Sequence, residues 1–189
     1  MTPSVKDRLF IAFGTPDIVR EDISAATESL RRTRRDVRWE SEEKFHCTIA
    51  FLGDTDREKV EDILAALGGL RVAPFTVVYR TLGCFPERGE PRVVWVGIEN
   101  PDGRLESLAR QIDELLRGFG IERDRGAFRP HLTIGRVNRS SRARDLLAIV
   151  ETITFESQPV TIRNIEVIKS VLKPSGSVYT ILKSIPLSA

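Results

Sequence analysis

FHCTIAFLG, residues 45–53, and RPHLTIGRV, residues 129–137, are two apolar runs that each carry a histidine two places before a threonine. In an extended chain, side chains two apart share a face. His46 therefore projects with Thr48 while Cys47 and Ile49 turn to the other side. His131 projects with Thr133, and Leu132 and Ile134 turn away. The apolar members belong in a core, so the two His/Thr faces are predicted to look into a common cleft. The chain contains 2 histidines, and these are both of them.

The same order of elements surrounds each run. Before the first, RLFIAF (8–13) reads as a buried strand, and Val19, Ile23, Ala26 and Leu30 fall on one helical face. After it, Gly53 is expected to break the strand, and Thr55 with Glu58 spells a capping box. The helix so started carries Val60, Ile63, Leu64 and Leu67. Strands follow at 72–82 and 93–98. The order then returns. Leu105, Leu108, Ile112, Leu115 and Leu116 mark a helix, 131–137 a strand, and Ser140 or Ser141 a cap for a helix with Leu146, Leu147 and Val150. Strands at 159–172 and 178–185 close the chain around a turn at Lys173-Pro174-Ser175-Gly176. The histidines are 131 − 46 = 85 residues apart. The helix starts Thr55 and Ser140, the strand starts Arg8 and Val93, and the proline-flanked Asp17 and Asp102 keep that same offset. A duplicated strand–helix–strand–helix–strand unit accounts for all four coincidences. Residues 1–189 are read as a single domain of two repeat-related lobes, with units of about 8–85 and 93–172 and a final strand at about 177–185.

Bulk properties narrow the classes. The chain has 189 residues, 41% hydrophobic and 30% charged, which suffices for a core without disulfide or metal staples. No window approaches the ~20 apolar residues of a membrane span, and the stretch up to Phe13 has no separate apolar segment of a signal peptide. Cys47 and Cys84 form no CxxC pair and are read as buried reduced thiols in a cytoplasmic protein. A net charge of +2 argues little for nucleic acid by itself. Its distribution says more, because Arg31, Arg32, Arg34, Arg35 and Arg38 precede the first histidine. Arg123, Arg125 and Arg129 precede the second, and Arg136, Arg139, Arg142 and Arg144 follow it. These clusters read either as a solvated basic face or as attraction of phosphate to a site between them.

Two His and two Thr arranged symmetrically suit displacement at phosphorus. A neutral imidazole takes a proton from water and an imidazolium gives one to the leaving oxygen, while the hydroxyls hold non-bridging oxygens. Imidazole supplies both protonation states near neutrality. A metal site would want three or four ligands with supporting partners. A Ser or Cys nucleophile would leave one His and both Thr idle. No metal and no cofactor are expected.

At these residues the chain resembles the 2H phosphoesterase superfamily, whose motif is His-x-Thr-x. Both His46-Cys47-Thr48-Ile49 and His131-Leu132-Thr133-Ile134 match it. RLFIAF, Trp39, Gly83-Cys84-Phe85-Pro86, Val94-Trp95-Val96-Gly97 and Phe128-Arg129-Pro130-His131 are similar to the branch of RNA 2′,3′-cyclic phosphodiesterases, or 2′–5′ RNA ligases. The resemblance implies a bilobal, pseudo-twofold α+β fold in which two antiparallel sheets line a central cleft with helices outside. It implies metal-independent hydrolysis of RNA 2′,3′-cyclic phosphate ends to 2′-phosphomonoesters, with 2′–5′ ligation as the related reverse chemistry. His46 would be the proton donor and His131 the acceptor, with Thr48, Thr133 and Arg136 on the substrate phosphate. The implied partner is an RNA with a 2′,3′-cyclic phosphate end, tRNA fragments or nucleotides included, handled by a monomer without a membrane. Small cyclic nucleotides or ADP-ribose cyclic phosphate are the rival substrates, and a non-catalytic RNA- or nucleotide-binding module is the rival class. Arg136 is in tension with strand parity, because five residues separate it from His131 and an unbroken strand would turn it away. A bulge at Gly135 would re-aim it. Phe45, Phe85 and Tyr179 are aromatic candidates for stacking on a base, or else core.

Overall fold

Each stretch read as extended contains a strand, although several strands start, end or divide at other residues than the pattern suggests. The computed structural model describes residues 5–122, 126–174 and 176–188. RLFIAF lies within β1 (Lys6–Gly14), whose Leu9, Ile11 and Phe13 enter the main core while Phe10 and Ala12 face the other way. The chain continues through α1 (Asp17–Thr33), β2 (Val37–Trp39), a short 3-10 turn (Glu42–Lys44), β3 (His46–Asp56) and α2 (Arg57–Gly68). Then come β4 (Phe75–Phe85), β5 (Val93–Glu99), α3 (Arg104–Arg117), β6 (His131–Val137), α4 (Leu146–Val150), β7 (Val160–Ile162), β8 (Asn164–Lys173) and β9 (Gly176–Pro186). All strand pairs are antiparallel.

The two expected sheets are joined. One group runs β7-β4-β5-β6 and the other β3-β1-β8-β9, with β2 added to β6. They meet through one registered pair, Cys47 with Leu132, so the described strands form one continuous path. That pair sets the two His-x-Thr stretches side by side. Helices cover the apolar side. α1 buries Val19, Ile23, Thr27 and Leu30, and α2 buries Val60, Ile63, Leu64 and Leu67. α3 buries Leu105, Leu108, Ala109, Ile112 and Leu116. Thr27 takes the inward place expected of Ala26, because its hydroxyl donates to the Ile23 carbonyl at 2.8 Å and so costs the core no unpaired polar group. No helix among the described residues is long and apolar enough to cross a membrane.

Several local expectations fail, each for a visible reason. Gly53 does not end β3. It takes φ +65°, open to glycine, and the strand continues to Asp56. Thr55 is consequently buried in that strand, with its hydroxyl on the Leu52 carbonyl at 3.4 Å, and Asp56 occupies the N-cap of α2. The capping box is therefore absent. Ser140 and Ser141 cap nothing either, since α4 is 5 residues long with Asp145 before it. The strand expected from Val72 begins after Pro74, and the one expected over 159–172 is divided at Arg163 into β7 and β8. Lys173 pairs with Gly176 where the closing turn is expected, Ser175 itself lying outside the described residues.

Candidate active site

β3 and β6 place the motif side chains as parity demands. Cys47, Ile49, Leu132 and Ile134 are buried, whereas His46, Thr48, His131 and Thr133 are half-buried on the other side. All four of the latter line one cavity of about 990 Å³. Each imidazole is held in the same way. His46 Nδ1 lies 2.6 Å from the Lys44 carbonyl oxygen and His131 Nδ1 lies 2.7 Å from that of Arg129. A carbonyl only accepts, so Nδ1–H is the donor in both rings and Nε2 is left for proton exchange. Aromatic rings wall in the two histidines. Phe10 and Tyr179 stand 5.0 and 5.4 Å from His46, and Phe85 stands 5.0 Å from His131. Burial is the largest influence on both imidazoles and lowers both pKa values. The carbonyl bonds oppose it, as does Glu40 at His46, while Arg136 lowers both further.

Arg136 does reach the cavity. On β5, Val94 pairs with Gly135 and Trp95 with Thr133, so Ile134 has no partner and the strand bulges. Ile134 and Gly135 are then buried in succession, and Arg136 emerges on the side of His131 and Thr133. The parity objection fails for this reason. Gly135 is required because the side chains of Val37 and Trp39, on the paired strand β2, close over it. A Cβ there would lie 2.7 Å from Val37 Cγ1 and 2.8 Å from Trp39 Cε3. Arg136 Nε donates to Glu40 Oε1 at 3.3 Å.

The arginine clusters are largely structural. Arg31 stacks over Trp39 at 5.2 Å and Phe45 at 5.7 Å and donates to the Glu40 carbonyl. Arg32 pairs with Glu28, and Arg34 with Asp36 and Asp145. Arg38 is felt at the site through its charge on Tyr179. Arg144 pairs with Glu90. Arg123 and Arg125 lie outside the described residues. Among the described residues the basic lining is Arg8, Lys44, Arg129 and Arg136. Arg8 and Glu40 escaped the sequence reading because nothing in their spacing sets them apart. Of the aromatic candidates, Phe45 is core at 1% exposure, and Phe85 and Tyr179 face the cavity. Burial pushes the thiols of Cys47 and Cys84 up, to about 12 and about 11, which makes neither a nucleophile. Among the described residues no three His, Cys, Asp or Glu side chains gather in a way that could hold a metal ion.

The family described as LigT like Phosphoesterase matches the chain twice, over 13–95 and over 96–179. The RNA 2′,3′-cyclic phosphodiesterase of Archaeoglobus fulgidus is 33% identical over 177 residues, covering 93% of this chain and 98% of that protein. The protein of the same name from Thermotoga maritima is 34% identical over 179 residues, with 93% and 92% covered. Among solved structures, a Thermus thermophilus protein superposes with a TM-score of 0.77 at 27% identity, covering 95% of this chain and 97% of its own. Escherichia coli LigT complexed with 3′-AMP superposes with a TM-score of 0.80 at 24% identity, covering 97% and 99%, and speaks for the fold.

Proposed function

The chain belongs to the LigT-like phosphoesterase family, and on that premise we propose that it opens the 2′,3′-cyclic phosphate at an RNA end, leaving a 2′-phosphomonoester. The carrying observation is the pair of imidazoles on one cavity, each bonded through Nδ1 to a backbone carbonyl and each beside a threonine.

Neutral His131 takes a proton from water through Nε2 as the water oxygen bonds to phosphorus. The P–O3′ bond breaks, and protonated His46 delivers its Nε2 proton to the departing O3′. Exchange with solvent then restores both rings. Thr48 and Thr133 donate to the non-bridging oxygens, and Arg136 offsets the negative charge that concentrates there in the transition state. Glu40 holds the Arg136 guanidinium in place. A single chain supplies both histidines, which supports a monomer as the acting unit, and no step is routed through a metal. The substrate is RNA, with tRNA fragments and nucleotides as the range of ends to try. Buried, unpaired Cys47 and Cys84 suit a reducing, cytoplasmic setting.

The test is incubation with an oligoribonucleotide ending in a 2′,3′-cyclic phosphate, in the presence of chelator, followed by identification of the product. A 2′-phosphate end is expected. A 3′-phosphate, or loss of turnover that a divalent ion restores, would overturn these roles.

A further inference from the structure

β3 and β6 share an irregularity that turns chemically different side chains into the cavity. Along β1, Ile11 pairs with Ala50 and Ala12 with Thr48, so the register of β3 against β1 shifts at Ile49, as the register of β6 against β5 shifts at Ile134. The residues delivered to the cavity two places later are Phe51 and Arg136, and 136 − 51 = 85, the spacing of the two histidines. The cation therefore belongs to the lobe of His131 and an apolar ring to the lobe of His46. Phe51 is 65% exposed, and Leu172, at 68%, lines the same cavity. Single exposed apolar residues need no explanation. An exposed ring that opens into a cavity next to the aromatic neighbour of an imidazole is a surface suited to something flat and apolar. The rings step outward from the chemistry, with Phe10 5.0 Å from His46 and Phe51 6.2 Å from Phe10. Arg8, exposed, lines this side too.

Displacement at phosphorus sets water and leaving oxygen roughly in line on opposite sides. The leaving O3′ is part of the ribose, so the nucleoside and the chain 5′ of it extend toward the acid. Resting on the proposed function, where His46 is that acid, we infer that Phe51 is a stacking platform for the base 5′ of the terminal nucleotide. Arg8 meets the phosphate between the two nucleotides. Tyr179, next to His46, is left to the terminal nucleoside. Stacking tolerates any base, because every base has a π face. The platform therefore selects for an oligonucleotide over a mononucleotide rather than for a sequence.

Calorimetric Kd values for a dinucleotide and a mononucleotide, each ending in a 2′-phosphate, test this on the wild type, Phe51→Ala and Phe51→Trp. The wild type should favour the dinucleotide, Phe51→Ala should cut that preference about tenfold, and Phe51→Trp should keep it. Equal affinity of the wild type for both ligands would overturn the platform. So would equal weakening of both ligands by Phe51→Ala, or Phe51→Trp behaving like Phe51→Ala. Turnover of the corresponding cyclic phosphates is scored in parallel. Dinucleotide preference without turnover strikes the hydrolase reading and leaves the platform, and turnover without that preference does the reverse.

Discussion

A carbonyl two residues upstream orients each imidazole, Lys44 for His46 and Arg129 for His131, and both rings are stripped of water by neighbouring aromatics. Desolvation penalises the imidazolium, so each ring gives up its proton at a lower pH than a free one. The base then becomes competent at lower pH and the acid is lost at lower pH, which moves both limbs in one direction. A plot of kcat/KM against pH should be a bell centred on the acid side of the ordinary imidazole value, its limbs belonging to the pair. Replacing either histidine by alanine should remove a limb and slow turnover by ~10²–10⁴. The double variant should be slower by less than the product of the two effects, since neither proton transfer suits a mechanism that lacks the other. A single limb that persists in His46→Ala would contradict the pairing. Thr48→Ala and Thr133→Ala should fold as the wild type does and lose up to ~10²–10³ in kcat, as for a removed oxyanion donor. Full activity in both would reduce the threonines to strand formers.

At the scale of elements, the bulge on β6 decides which way Arg136 points, and Gly135 leaves room at the bulge for the Val37 and Trp39 side chains of the paired β2. Gly135→Ala would push a methyl group into Val37 and Trp39, so urea unfolding should show a loss of about 1–3 kcal/mol. Its kcat should fall toward that of Arg136→Ala, because the guanidinium loses its aim. A variant that is less stable but fully active would mean that Arg136 reaches the phosphate without the bulge. This element also marks the limit of what the sequence makes legible. Side-chain parity over 46–49 and 131–134 was legible, since it depends only on the two-residue period of a strand. The helical faces of α2 and α3 were legible for the same local reason. The skipped residues Ile49 and Ile134 were not, because a bulge is set by register against a partner strand. Nor was β2, whose pairing with β6 joins residues about one hundred positions apart. Thr55 looked like a cap because a strand continuing through a glycine has the same local spelling as a strand ending at one.

Across the whole molecule, 29 basic residues face 27 acidic ones, and many arginines outside the cavity lining are engaged by carboxylates. Arg34 with Asp36 and Asp145, Arg57 with Asp7, and Arg80 with Glu99 and Glu156 are examples. A global field therefore contributes little, and attraction of RNA falls to the cations that line the cavity, Arg8, Lys44, Arg129 and Arg136. Each phosphate neutralised on a single strand releases counterions and adds about −0.7 to the slope of log K against log salt. Four lining cations at most give a slope of about −3 or shallower, well short of a protein that tracks a long nucleic acid. Arg8→Ala should make the slope shallower by about 0.7 for a short single-stranded RNA ending in a 2′-phosphate. Arg32→Ala should leave it unaltered, because Arg32 sits on α1 against Glu28 and outside the lining. The measurement is a titration of such an RNA at four or five salt concentrations for the wild type and both variants. Equal changes in the two variants would return α1 to the binding surface and show that RNA is drawn in by the basic cluster of the sequence rather than by the cavity wall.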